Sequence, residues 1–367
     1  MANTNPLAAV NIRELVGFKQ ITPGDLGKYP ALALNNCGIN AVSGISSDST
    51  AFSIGKMTVL GNTFYGLVGK TPTRQRVSYV DILLQKDPNR LKQKAVQVGI
   101  RLTQSALPAI QRGERMIGIV NSTSIGSQPI AGTLAEDSST YYEIVVSANS
   151  NSTLTAQAFV NKQSVFTATG PIRQGYPILL RVGIDNTGFT VLSADDFTFM
   201  LDDIYIAELD YNSDGTVTPQ LLGNLTLEPF TVASYTGDKH TNTKNQDIVT
   251  ALNTLDPNND MGVLAIKPVE QAASVTFNAP DIAGKSIYGA ALNIVYKDSI
   301  APNNRLNYQI TEGTTQLPAE TITEHNADVA GFTTVSKILT VPANGGDWNA
   351  ENLRFKLDMF NRGTDAE

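Results

Sequence analysis

The chain has 367 residues, of which 41% are hydrophobic and 17% charged, and its 27 Lys+Arg against 34 Asp+Glu leave a formal charge of −7. This acidic balance argues against a nucleic-acid partner, which requires clustered cations to displace phosphate counterions, and no apolar run approaches the ~20 residues of a membrane span. The single cysteine, Cys37, excludes an intramolecular disulfide and a zinc finger, and we interpret it as a buried structural thiol. Neutral polar residues replace the missing charge, which together with 29 Gly and 17 Pro is typical of an all-β protein.

The N-terminal part of the chain gives the weakest pattern. Residues 1–28 are interpreted as an arm, in which residues 8–16 form either a short helix or an extended piece. From residue 29 onward, short segments with alternating apolar side chains are separated by turn residues, which predicts β-strands. The clearest of these segments are residues 53–60, 64–68, 77–84, 95–102, 115–120, 141–147, 154–160, 164–168, 178–184 and 197–208.

Turn residues predict several of the connections between these strands. Gly61-Asn62 and Asn161-Lys162 each separate two apolar segments and therefore favour β-hairpins. Pro88 lies in a stretch rich in Lys and Arg, which predicts either a solvated loop or one helical turn. Strands at this spacing are typical of a β-sandwich.

We predict two β domains. Residues 29–209 form the first, residues 210–220 form a linker loop, and residues 221–367 form a second, smaller β-sandwich. The second domain is expected to begin with a strand at residues 221–232 and to contain one helical turn within residues 246–255. Its remaining strands are expected at residues 261–266, 273–277, 286–296, 305–311, 333–341 and 353–359.

The linker contains the best candidate metal site. Asp210, Asn212 and Asp214 offer oxygen ligands at alternate positions and are followed by Gly215, which matches the opening of a calcium loop. The twelfth position, however, is Leu221 rather than a bidentate Glu. Asn, Asp and Gly are also the residues of an ordinary tight turn, so a plain turn is the alternative.

Two other polar features carry candidate chemistry. Asp202-Asp203 is unusual within a strand, but adjacent strand residues point to opposite faces and cannot form a shared acid–base dyad. We therefore expect a structural role, with one carboxylate bound to a neighbouring loop, beside a glycan or calcium contact as the alternative. His240 and His325 lie in polar, turn-rich stretches and are interpreted as surface residues, and no G-x-S-x-G motif frames a nucleophile.

Aromatic side chains could stack on sugars, although strand tyrosines more often pack in cores. The available tyrosines are Tyr65, Tyr79, Tyr141, Tyr142, Tyr176 and Tyr205. Trp348, the single tryptophan, precedes the last predicted strand, where we expect it to cover the end of the second core.

The strand at residues 197–209, FTFMLDDIYIAEL, resembles the closing strand of a concanavalin-like jelly roll found in virion proteins of tailed bacteriophages. In that family the strand is followed by a loop rich in Gly, Asn and Asp, and then by a strand that runs up to a Pro; the corresponding residues here are 210–216 and 222–229. The hairpin at residues 156–165 is similar to a laminin-G-like turn with Asn at its tip. The resemblance implies an N-terminal concanavalin-like jelly-roll sandwich, followed by a small β domain, and it supplies no catalytic residues.

The resemblance implies a structural component of a tailed-phage virion, in the tail, the collar or on the capsid surface. Such a protein acts by assembling into a homo-oligomer and with other virion proteins, and it is assembled in the host cytoplasm. We expect no enzymatic activity, no nucleic-acid partner, no membrane insertion and no cofactor apart from the candidate calcium. The alternative is a receptor-binding, lectin-like module that contacts host surface glycans through loop Asp/Asn and Tyr side chains.

Overall fold

A computed structural model describes most of the predicted strands. The described residues are 11–19, 24–25, 41–43, 52–59, 61–71, 77–104, 115–121, 128–129, 138–149, 153–185, 197–237, 247–253, 272–296, 305–322, 333–349 and 352–362. Cys37, His240, His325 and the strand predicted at residues 261–266 lie outside them, so these predictions stay predictions. The chain divides into two compact units, and the larger, N-terminal unit comprises Ala9–Phe18 and Pro23–Leu227. The C-terminal unit comprises Glu228–Glu367 with two short N-terminal pieces.

The described chain is built almost entirely of strands, which confirms the all-β fold class. The strands of the N-terminal unit are β1 (Asn11–Val16), β2 (Gly24–Asp25), β3 (Ala41–Ser43), β4 (Phe52–Val59), β5 (Asn62–Thr71), β6 (Val77–Gln85), β7 (Lys94–Gln104), β8 (Arg115–Val120), β9 (Gln128–Pro129), β10 (Ser138–Ala148), β11 (Thr153–Val160), β12 (Gln163–Pro171), β13 (Ile178–Asp185) and β14 (Phe197–Asp210). Those of the C-terminal unit are β15 (Thr231–Gly237), β16 (Ala272–Asn278), β17 (Ala290–Tyr296), β18 (Arg305–Glu312), β19 (Thr315–Gln316), β20 (Glu320–Thr321), β21 (Thr333–Leu339) and β22 (Phe355–Arg362). A 3-10 turn (Pro88–Lys92) and helix α1 (Ile248–Asn253) are the helical elements of the described residues, and neither is long and apolar enough to cross a membrane.

Two antiparallel sheets form the N-terminal unit. The larger has nine strands among the described residues, in the order β12-β11-β10-β7-β14-β5-β4-β2, with β1 also paired to β14. The smaller has the order β3-β6-β13-β8-β9. Alternate apolar side chains from both sheets are buried as the core, including Val98 and Ile100 of β7 and Leu180 of β13. The alternation of hydrophobic residues thus placed these strands correctly.

The predicted turns have clear local causes. Asn161 and Lys162 both adopt positive φ (50° and 64°), as a two-residue hairpin turn requires, and they connect β11 to β12. Pro88 starts the 3-10 turn, whose preceding residue, Asp87, accepts a hydrogen bond from the Asn89 backbone N–H at 2.9 Å.

The structure differs from the predicted domain organisation at both ends of the first domain. Asn11–Val16, assigned by sequence to an arm, is a strand of the large sheet, where β5 pairs with the first half of β14 and β1 pairs with the second half. The predicted linker is part of the N-terminal unit, because Tyr211 pairs with Val217 and its hydroxyl accepts a hydrogen bond from the Ala148 backbone N–H. The boundary between the units lies after Leu227.

The strand predicted at residues 221–232 is also corrected. Its first ten residues form no strand, and regular pairing begins only at Thr231, the first residue of β15. The reason is that the backbone of residues 220–227 bonds to side chains of the large sheet, and locally from the Leu225 N–H to the Gly223 carbonyl, instead of to a neighbouring strand.

The C-terminal unit contains a six-stranded sheet in the order β15-β16-β22-β18-β19, with β20 also on β18, and a separate β17-β21 pair, counted over the described residues. Its core centres on Ile294, Tyr308, Ile310 and Leu357. Trp348 packs on Phe355 with ring centroids 6.3 Å apart, and its indole N–H donates to the Thr340 carbonyl, as expected for a side chain that covers this core. The predicted helical turn is α1.

Candidate functional site

Both faces of β7 are buried, although one of them is polar. Val96, Val98 and Ile100 point into the core, whereas Gln97 and Arg101 share the opposite face with Glu143 of β10 and Tyr205 of β14. We call the polar side chains of Gln97, Arg101, Tyr141, Glu143, Asp203 and Tyr205 the polar face. Each of these six residues is at most 8% exposed.

Gly99 gives this face its shape. It lies between Gln97 and Arg101 on β7, directly opposite Tyr205 and Glu143 on the neighbouring strands. A Cβ atom there would lie 2.0 Å from Cε1 of Tyr205 and 2.5 Å from the hydroxyl of Tyr141. Only glycine therefore leaves room for both tyrosine side chains.

The segment Gln220–Leu227, which we call the strap, covers the polar face. Its first contact uses both ends of a carboxamide: the Gln220 N–H donates to Oε1 of Gln97 at 3.0 Å, and Nε2 of Gln97 donates to the Gln220 carbonyl at 2.8 Å. The side chain of Gln97 thus bonds the strap backbone as a neighbouring strand would.

Glu143 holds the middle of the strap. Its Oε1 accepts from the Leu222 backbone N–H at 2.7 Å, and its Oε2 accepts from the Gly223 N–H at 2.9 Å. Gly223, whose N–H is the second of these donors, has φ +85°, a conformation that favours glycine. The hydroxyl of Tyr205, which accepts from Gln97, donates to Oε1 of Glu143 at 2.6 Å.

Arg101 and Asp203 hold the end of the strap. Nε of Arg101 donates to Oδ2 of Asp203 at 2.6 Å, and Nη2 donates to the Leu225 carbonyl at 2.7 Å and to Oδ1 of Asn224 at 2.8 Å. Oδ1 of Asp203 accepts from the Leu227 backbone N–H at 2.8 Å. The ion pair is buried, so its stability depends on these additional hydrogen bonds.

The Asp202-Asp203 pair departs from simple strand alternation. Asp203 has φ 50° at an irregularity in the β14–β7 register, and both carboxylates are 2% exposed. Oδ1 of Asp202 accepts from the Phe18 backbone N–H at 3.3 Å, just beyond the end of β1. Each carboxylate therefore binds a different chain segment, in line with the structural role expected from the sequence.

The two buried tyrosines of the polar face remain protonated. Burial, the charge of Glu143 and the hydrogen bond donated to it raise the pKa of Tyr205 well above its usual value. Burial also raises the pKa of Tyr141, whose hydroxyl donates to the Asp203 carbonyl. Both hydroxyls consequently act as hydrogen-bond donors, and the polar face, as folded, binds the strap.

Of the three candidate calcium ligands, Asp210 is the last residue of β14, whereas Asn212 and Asp214 lie in the tight turn that follows, and all three bond to protein groups. Asp210 pairs with Lys94, and Asp214 accepts from the backbone N–H and hydroxyl of Thr216, which lowers the pKa of Asp214. The side-chain amide of Asn212 donates to Thr216 and Thr218. No group of three acidic, His or Cys side chains suited to a metal occurs in the described chain. The plain-turn alternative explains these contacts, and calcium binding stays an untested prediction.

The candidate sugar-stacking tyrosines fall into different environments. Tyr141, Tyr142 and Tyr205 are buried, so they cannot stack on an external sugar. Tyr65 is 41% exposed on the β4–β5 hairpin, opposite Lys56. Tyr176 is half-buried, and the side chain of Tyr79 lies outside the described residues.

The sequence analysis missed Gln97, Arg101 and Glu143. The available signal was their alternation with Val96, Val98 and Ile100, but such a pattern is usually that of a strand with one solvated face. It does not reveal that another segment covers the polar side.

Among proteins of known structure, this chain resembles β-sandwich proteins that bind or act on carbohydrates. The alginate lyase Aly36B matches with a TM-score of 0.38 and 9% identity, over 56% of this chain and 98% of the lyase. A carbohydrate esterase from the Shiga toxin-encoding bacteriophage phi24B matches with a TM-score of 0.25 and 11% identity, over 53% of this chain and 99% of the esterase. Peanut lectin matches with a TM-score of 0.25 and 9% identity, over 47% of this chain and 100% of the lectin. No protein-family model and no curated protein sequence matches the chain.

These matches correct one conclusion of the sequence analysis. We expected no enzymatic activity, yet the alginate lyase and the carbohydrate esterase among the structures named above are enzymes. No residue role is transferred from these proteins to this chain.

Proposed function

We propose that the chain is a structural component of a tailed-phage particle, located in the tail, the collar or on the capsid surface. The observation that carries the proposal is the strap: four side chains of the large sheet bind the backbone of the segment by which the chain leaves the N-terminal unit. The phage assignment itself rests on the resemblance of residues 197–209 to a virion-protein strand.

The strap supports a building-block role because its contacts are specific and buried. Hydrogen bonds in a buried network reinforce one another, and such a network specifies one arrangement of the chain. The exit point of the chain at Leu227 is thereby fixed to the sheet by Asp203. A subunit that must occupy a defined place among other virion proteins benefits from such a fixed exit point.

The direct test is the composition of the particle. Purified particles of the phage that encodes the chain should contain it in fixed stoichiometry by quantitative mass spectrometry, and labelled antibodies should mark a defined position. If purified particles lack the chain while infected cells contain it, the structural proposal is wrong.

The second candidate, contact with host surface glycans, is favoured by the β4–β5 hairpin. Exposed Tyr65 lies opposite Lys56, and Thr58 and Thr63 form the next cross-strand pair on the same face. A flat aromatic ring beside hydroxyls and an ammonium group suits an anionic sugar. Binding to a glycan array should be lost in Tyr65→Ala and kept in the control Gln174→Ala, which changes an exposed turn residue outside this hairpin. Equal binding by both variants would contradict this site, and mass spectrometry of the bound glycans would reveal any cleavage.

A further inference from the structure

The large sheet ends at β12. This strand pairs with β11 on one side, and within the described chain no strand pairs with its other side. The exposed residues of β12 include Val165, which is 45% exposed. The backbone N–H and C=O groups along such an edge are a template for another strand.

Apart from Pro171 at its end, the composition of β12 does little to protect this edge. Its sequence, QSVFTATGP, contains no charged residue, although the chain as a whole carries −7. Edge strands are usually protected by charged side chains, by extreme shortness or by a covering helix or loop. β12 is nine residues long, so it has neither of the first two protections.

The C-terminal unit contains an edge strand, β15, that is covered by a helix. β15 is the outer strand of the six-stranded sheet, and it is neutral too. At Val232, however, the backbone N–H donates to Oδ1 of Asn253 at 2.7 Å, and Nδ2 of Asn253 donates to the Val232 carbonyl at 2.9 Å. Asn253 is the last residue of α1, so a helix covers this edge.

We propose that β12 is the contact strand for a second copy of the chain, with two β12 strands pairing antiparallel about a two-fold axis at Ala168. This inference rests on the proposed assembly role and names its surface. The pairing joins two large sheets into one continuous sheet. It is isologous, so the same strand serves both copies.

The sequence of β12 suits this self-pairing. With Ala168 on the axis, Thr167 of each copy lies opposite Thr169 of the other, a favourable cross-strand pair. Half-buried Phe166 lies opposite Gly170 of the other copy, and its aromatic ring covers the backbone of this glycine, which has no side chain. No like charges oppose each other, because β12 has none.

The first test measures association of the full chain by analytical ultracentrifugation. The wild type should form dimers in the micromolar range, whereas Thr167→Lys/Thr169→Lys places ammonium groups opposite each other and should weaken association by about tenfold or more. The control is Thr58→Lys/Thr63→Lys, which adds the same charges to an exposed cross-strand pair on the β4–β5 hairpin and should associate like the wild type. A monomeric wild type, or equal association of both variants, would overturn the proposal.

The second test does not depend on the folding of the lysine variant. In a Cys37→Ser background, Ala168→Cys places one thiol at the axis, where two opposed strand residues come within disulfide range. Oxidation should give a covalent dimer on non-reducing gels, and Thr58→Cys should not. Absence of the Ala168→Cys dimer would refute the register. If the chain occupies the particle in fixed stoichiometry but fails these tests, only the edge inference falls; if it dimerises but is absent from particles, only the particle proposal falls.

Discussion

Two ion pairs connect β7 to β14, Arg101–Asp203 in the polar face and Lys94–Asp210 at the end of β14, but they differ in their surroundings. In the polar face, Arg101 and Asp203 are buried and bind the strap. At the end of β14, Asp210 pairs with Lys94 while its side chain remains 81% exposed. Because charges in water are screened and already solvated, the exposed pair contributes little, whereas the buried pair is costly to break. Burial, and not the type of side chain, therefore decides which cluster organises the fold.

The largest effect is expected when one member of the buried pair is removed. Arg101→Met leaves Asp203 buried without its guanidinium and should lower the free energy of unfolding by about 3–5 kcal/mol. The matched control, Lys94→Met, removes a cation from the exposed pair and should cost less than about 1 kcal/mol. Urea unfolding followed by circular dichroism measures both, and similar losses would contradict the contrast between the clusters.

A smaller effect is expected from crowding the polar face. Gly99→Ala introduces a Cβ atom into the space of Tyr205 and Tyr141 and should cost about 1–3 kcal/mol, because both rings must shift. Gly55→Ala, on β4, meets only an ordinary contact at 3.5 Å with Val68 and serves as the control. Equal thermal stability of the two variants would show that the tyrosines are not held as described.

A pH-dependent effect is expected from Glu14 on β1. Burial raises the pKa of this half-buried carboxyl from 4.5 to about 7, so the folded state binds more protons than the unfolded state between these values. Stability should therefore fall as the pH rises from about 4.5 to 7, and Glu14→Gln should remove this loss. Unfolding midpoints at pH 4 and pH 8 provide the measurement. The variant should gain stability over the wild type only at pH 8, and an equal gain at both pH values would contradict the pKa shift.

The smallest effect is expected in the exposed turn. Asp214→Ala removes the hydrogen bonds from Thr216 at an exposed site and should leave the melting temperature almost unchanged. The melting temperature of the wild type should not respond to added calcium if the residues form only a turn. A calcium-induced rise that disappears in Asp214→Ala would instead establish the metal site.

Local sequence signals placed the elements that depend on neighbouring residues. The alternation in β7, the Asn161-Lys162 turn and the 3-10 turn after Asp87 are all set by short-range geometry. The role of Asp202-Asp203 was also predictable, because carboxylates in a strand need a partner.

The strap could not be predicted in the same way. Its apolar residues resemble a strand, and its partners lie more than a hundred residues away at Gln97 and Arg101. The pairing of β1 with β14 and the positive φ of Asp203 also depend on tertiary contacts. Long-range partners of a backbone leave no periodic signal, so the polar face became visible only in the structure.

Hydrogen exchange at single amides tests whether the polar face holds the strap. The N–H groups of Leu222, Gly223 and Leu227 donate to Glu143 and Asp203, so they should exchange as slowly as the amides in the middle of β7. Thr226, whose N–H donates to neither Glu143 nor Asp203, provides a comparison within the strap. If Leu222, Gly223 and Leu227 exchange as fast as the amides of an exposed loop, the strap is not bound and the proposed role of the polar face is wrong.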